Sequence, residues 1–165
     1  MEIPAEADVF ECMESDDEIG CGKPKYEEFI ESREMAKPHI CLRILFASVD
    51  AFRRVVREVN VSMGKDLIWS KNDLDRIIVV CNKERCKYKV YTSNVKDEKS
   101  IQIKQMYPKY SCARSYQNTQ VTSQWLANKY LAIIRVNPQW LLNAFKHQVM
   151  NDFKVGVHRN PFFVP

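Results

Sequence analysis

The stretch Val80-Cys81-Asn82-Lys83-Glu84-Arg85-Cys86-Lys87-Tyr88-Lys89-Val90-Tyr91-Thr92 carries the reading of the fold. From Lys87 onward a period of two sends Lys87, Lys89 and Tyr91 to one face and Tyr88, Val90 and Thr92 to the other, the signature of a half-buried strand. The run Arg76 to Cys81 is β-branched and apolar, so it forms the partner strand. The two strands then meet across the loop that holds both cysteines. One sheet face is basic with an aromatic beside it, and the other is apolar.

Working outward, Leu67 to Ser70 and Ser100 to Tyr107 also have strand character. Lys71, Asn72 and Asp73 separate the first two strands, and Asn94 to Asp97 makes a turn between the last two. Upstream, Ser48 can cap a helix whose residues Val49, Phe52, Val56, Val59 and Met63 recur at helical spacing, with Gly64 as its stop. Downstream, a helix from about Thr122 carries Leu126, Tyr130 and Ile133 on one side. A second helix is predicted to start at Asn137-Pro138 and to bury Leu141, Phe145 and Val149. The expected fold class is α+β: a small antiparallel sheet with one helix before it and two after it.

The net charge of +4 conceals an asymmetry. Residues 1–36 hold twelve acidic side chains against three basic ones, whereas residues 37–165 hold twenty-two basic against nine acidic. The acidic arm, poor in aliphatics and without period, is read as disordered. Residues 37–158 are read as one domain and 159–165 as a tail. A basic body suits a polyanionic partner, because clustered Lys and Arg release counterions condensed on phosphates. The apolar runs are far shorter than the roughly 20 residues that cross a bilayer, and no signal-peptide pattern opens the chain, so no membrane partner is expected.

Six cysteines without a secretory signal point to reduced thiols, either buried as small hydrophobes or ligating metal. Cys81 and Cys86 bracket four residues, and residues 87–109 separate them from Tyr110-Ser111-Cys112. A tetrahedral metal site can take two ligands from a short loop and close with a distant pair. Three thiols fit that plan, and they equally fit isolated buried cysteines. The sequence offers no Ser/His/Asp set, no HExxH and no Gly-rich phosphate loop, so no enzymatic activity is expected.

The spacing C-x4-C, then 22 or 23 residues, then H-x-C resembles the zinc signature of the WRKY and GCM class of DNA-binding domain. From about Leu42 to His158 the chain is similar to the N-terminal DNA-binding domain of MuDR (Mutator-like) plant transposases. The similarity is carried by Phe46 to Arg53, Lys71 to Arg76, Val80 to Tyr88, and Val121 to Asp152 with its Asn-Pro-x-Trp. It implies a nuclear, sequence-specific or end-specific binder of double-stranded DNA, with zinc at Cys81, Cys86 and Cys112. Tyr110 stands where the pattern has histidine, which weakens that zinc site. Lys71, Asn72 and Arg76 would then lie nearest the bases, and Lys83, Arg85, Lys87, Lys89 and Lys104 nearest phosphates. Family members continue into a catalytic domain whose carboxylates this chain lacks, so a full-length transposase acting in trans is an implied partner. The alternatives are a protein-interaction fragment presenting Trp125 or Trp140, and a non-functional remnant of a transposable element.

Overall fold

An alternation of buried and exposed residues at Ile77, Val79 and Cys81, and again at Tyr88, Val90 and Thr92, is what pairs the two central strands. In the computed structural model, which describes residues 26–95 and 99–157, they become β3 (Arg76–Cys81) and β4 (Lys89–Asn94). β2 (Leu67–Asn72) flanks β3, and β5 (Ile101–Tyr107) flanks β4. A two-residue β1 (Leu45–Phe46) pairs with β5 and completes a five-stranded antiparallel sheet in the order β1-β5-β4-β3-β2. The α+β class is as expected. Lys71 and Asn72, read as loop, lie inside β2, because a register shift between Trp69 and Lys71 lets the ladder continue to Ile77 and Ile78.

The helix α2 (Val49–Ser62) begins as its sequence dictates: Ser48 is extended and its Oγ accepts the Ala51 N–H at 3.1 Å. Phe52, Val55 and Val56 are buried against the inward residues Leu67, Ile77, Val79, Val90, Ile101 and Ile103. Gly64 ends this segment at φ +66, and a Cβ there would fall 2.3 Å from the Arg114 side chain. The left-handed backbone and the close approach both require glycine. Arg114 uses that space to donate to the carbonyls of Ser62 and Phe153, tying α2 to the C-terminal helices.

Those helices are α3 (Ser123–Val136), capped by Thr122, and α4 (Leu142–Phe153). Trp125, Leu126, Tyr130, Phe145 and Val149 bury themselves with Val61 of α2, forming a second core. Two details differ from expectation. Asn137 closes α3, its N–H bonding to the Ile133 carbonyl, and the chain turns through Pro138 before α4 starts. Leu141 and Ile133 are consequently exposed rather than part of the buried stripe.

Part of the stretch assigned to the acidic arm also packs. Phe29 is buried, 5.3 Å between ring centroids from Phe46, and its N–H donates to the Leu45 carbonyl at 2.8 Å. A short helix α1 (Glu31–Glu34) follows, and Glu31 takes both guanidinium bonds of Arg54 on α2 at 2.7 and 2.8 Å. Residues 1–25, with Cys12 and Cys21, and residues 158–165 lie outside the described residues. No helix among the described residues is long and apolar enough to cross a membrane.

Candidate metal cluster and nucleic-acid interface

Cys81 closes the inward alternation of β3, so its thiol is buried at the sheet end. The loop that follows turns sharply: the Cys86 N–H bonds the Lys83 carbonyl at 3.1 Å, and Arg85 adopts φ +65. This brings Cys86 back beneath Cys81. The strand β5 and its continuation deliver Cys112, whose Sγ lies 3.5 Å from that of Cys81. The Sγ atoms of Cys81, Cys86 and Cys112 all lie within 4.8 Å of one another. The spacing seen in the sequence is a cluster in space, and it is close enough to hold a metal ion.

Electrostatics divide the three thiols. Burial and the neighbouring sulfurs push Cys81 up to about 12, despite a backbone N–H donated from Lys83. Burial also opposes ionisation of Cys86, but the N–H groups of Tyr88 and Ser111 point at its sulfur and bring it down to about 6. Cys86 is therefore a thiolate at neutral pH, the protonation state that binds metal. It is expected to be alkylated by iodoacetamide well before Cys81 at pH 7, with its rate falling as pH drops through about 6. Mass spectrometry of the modified peptides reads this, and equal labelling of Cys81 and Cys86 would refute it.

Tyr110 does not take the place of the missing imidazole. Its ring stacks on Tyr88 at 4.1 Å and 9°, and burial drives its phenol far above the ordinary range, so no phenolate is available. Its buried hydroxyl lies against the Tyr88 hydroxyl rather than a metal-ligating position. The Lys65 ammonium sits over this ring at 5.0 Å, bonds the Cys112 carbonyl and lies 3.8 Å from the Cys112 sulfur. Nothing in the sequence marked Lys65 for this position, since it reads as an ordinary residue after a helix stop. The donor set thus fits an ion held by three sulfurs with its remaining position open, next to a fixed positive charge.

The sheet face opposite α2 is the second feature. Register places Ile68, Val80, Lys89 and Tyr107 in one cross-strand row, and Lys71, Ile78, Tyr91 and Gln105 in the next. Arg76, Ser93 and Gln102 make a third row. Cross-strand partners share a face, so Lys71, Arg76 and Lys89 stand together beside Tyr91 and Tyr107. Lys104 is the residue that the β4–β5 register skips, and its ammonium bonds Gln102 in the third row. Lys83, Arg85 and Lys87 are exposed around the cysteine loop at the sheet end. Asn72 departs from the group: it pairs with inward-facing Ile77, and its Oδ1 accepts from Arg53 of α2 at 2.9 Å.

An open, basic, aromatic sheet face beside a thiol cluster is the geometry against which known proteins can be compared. Residues 42–103 match the MuDR family transposase model. The matched segment starts at Leu42 and takes in α2, β1 to β4, Cys81 and Cys86. It ends at Ile103, so Cys112, α3 and α4 lie beyond it. Well under half of the chain is matched, and what it contains is α2, the strands β1 to β4 and the first three residues of β5. No curated protein and no solved structure matches the chain.

Proposed function

We propose that this protein is a non-catalytic, transposase-derived module that binds double-stranded DNA, in the nucleus, through the open face of its sheet. The observation that carries the reading is the grouping of Lys71, Arg76, Lys89 and Tyr91 on one face, within a segment that matches the MuDR family, with Tyr107 extending that face just beyond it. Cations on a twisted sheet can follow a phosphate backbone, and the edge β2 is narrow enough to enter a major groove. Arg76 is the candidate for reading a base edge. Lys83, Arg85 and Lys87 at the sheet end, with Lys104, add affinity without sequence information.

Zinc is the metal proposed for Cys81, Cys86 and Cys112, since thiolates favour it over hard cations. When bound it fastens the β3–β4 loop to the segment after β5 and so stiffens the end of the interface. Lys65 and the N–H groups of Tyr88 and Ser111 steady the sulfurs from outside. A full-length transposase acting in trans remains a proposed partner. The protein-interaction reading loses its anchors, because Trp125 is buried with its indole N–H on Glu58 and Trp140 packs on Tyr130 and Phe145.

Duplex binding followed by fluorescence anisotropy tests the proposal. Affinity is expected to fall steeply with salt, to survive excess competitor protein, and to weaken equally on all sequences when Lys87 and Lys89 become Ala, with a flatter salt slope. Unchanged binding in that variant would remove both lysines from the interface, and strand cleavage above a contaminant control would contradict the non-catalytic reading.

A further inference from the structure

A second set of metal-binding donors stands apart from the cysteine cluster, on segments that the DNA-binding reading does not use. We propose that Glu27, His39 and Cys41 form a site for a borderline-soft divalent cation such as zinc, where the N-terminal segment joins the edge of the sheet. The proposal does not depend on the DNA-binding reading.

Backbone pairing puts the three residues together. The Glu27 carbonyl accepts the Leu45 N–H at 2.9 Å, and Phe29, two residues on, is anchored in the core, so Glu27 is fixed in position beside β1. His39 and Cys41 alternate around Ile40, which packs against the core, and Pro38 restricts the backbone ahead of them. His39 Nε2 then lies 3.6 Å from Glu27 Oε1, and Cys41 Sγ lies 3.9 Å from Glu27 Oε2. One donor atom from each of the three residues falls within 4.8 Å of the others.

These separations suit a common ion. Zinc bonds of about 2.0–2.3 Å to N, O and S imply donor-to-donor edges of about 3.3–3.8 Å in a tetrahedron. Small side-chain rotations close the difference, and half-exposed Glu27 and His39 are free to make them. An imidazole, a thiolate and a carboxylate together suit zinc better than magnesium or calcium, which prefer oxygen alone. The fourth position is open to water. A bound ion would cross-link residue 27 to residues 39–41 and close the loop that carries Phe29 and α1, fastening the N-terminal segment to the sheet.

Cadmium-113 NMR of the full chain, carrying Cys12→Ser and Cys21→Ser to remove the remaining N-terminal thiols, separates this site from the cysteine cluster. A three-sulfur site and a site with one sulfur, one nitrogen and one oxygen give signals in different regions. The expected result is a signal of the mixed-donor type that disappears in the His39→Ala, Cys41→Ala variant. Any signal from the cysteine cluster should persist there, which also reports that the variant is folded. Absence of a mixed-donor signal in the parent, or its survival in the variant, would overturn the proposal.

Discussion

Replacing Asp66 with Ala is expected to lower the unfolding free energy by about 3 kcal/mol, read from the urea midpoint at constant slope. This side chain is buried and gathers donors from three segments. Its Oδ1 accepts from the Leu67 N–H, the Thr119 N–H and the Thr119 hydroxyl, at 3.1, 2.9 and 2.7 Å, and its Oδ2 accepts from the Asn82 amide at 2.6 Å. The strand β2, the loop after β3 and the lead into α3 therefore converge on one carboxylate. Hydrogen bonds to a charged group are worth about 1.5–3 kcal/mol each, but Asn82 and Thr119 are exposed and regain water once Asp66 is gone. The loss is therefore well below the sum. Asp66→Asn should cost roughly half as much, because one oxygen remains as acceptor while the new amide faces the Asn82 amide. A loss under about 1 kcal/mol for Asp66→Ala would show that the three segments hold together without it.

The second large effect concerns binding. Lys71→Ala, Arg76→Ala and Lys89→Ala combined are expected to weaken duplex binding about 100-fold near physiological salt, or about 3 kcal/mol, and to reduce the salt slope by about 2–3. Each position borders solvent and none lies in either core, so the fold should survive. Lys71 is partly engaged already, 3.3 Å from Asp73, and its share is the smallest of the three. Removing Arg135 and Lys146 from the C-terminal helices takes away two positive charges, against three from the sheet, and should leave the slope nearly as it was. Equal losses in the two variants would mean that net charge, rather than the face, governs binding.

How much of this was legible in the sequence depended on periodicity. The strands around Cys81 to Thr92 repeat cleanly and their burial follows the pattern; in the helix after Ser48, Phe52 and Val56 are buried as expected, but Met63 is exposed where the helix ends, and Val55 and Val61 are buried beside the expected stripe. The pattern failed where one residue made the difference. Phe29 sits among glutamates, so composition hid an aromatic that joins the core. Asn137-Pro138 carries the signals of a helix start, yet it serves as the end of α3, since the same residues also favour a turn. The face itself was half legible: alternation grouped Lys87, Lys89 and Tyr91, but adding Lys71 and Arg76 required the register and the irregularity in β2. Asn72 was drawn in by adjacency in sequence, and adjacency in a strand means the opposite face. The thiol cluster was visible as spacing. Asp66 and Lys65 were not visible at all, since a contact partner some fifty residues away leaves no local mark.

The central claim is most directly tested by following amide NMR signals of the full chain while duplex DNA is added at two salt concentrations. The account predicts that the largest shifts fall on Lys71, Arg76, Lys89, Tyr91 and Tyr107, and that they fade together as salt rises. Shifts confined to α3 and α4, with the sheet face unmoved, would contradict it.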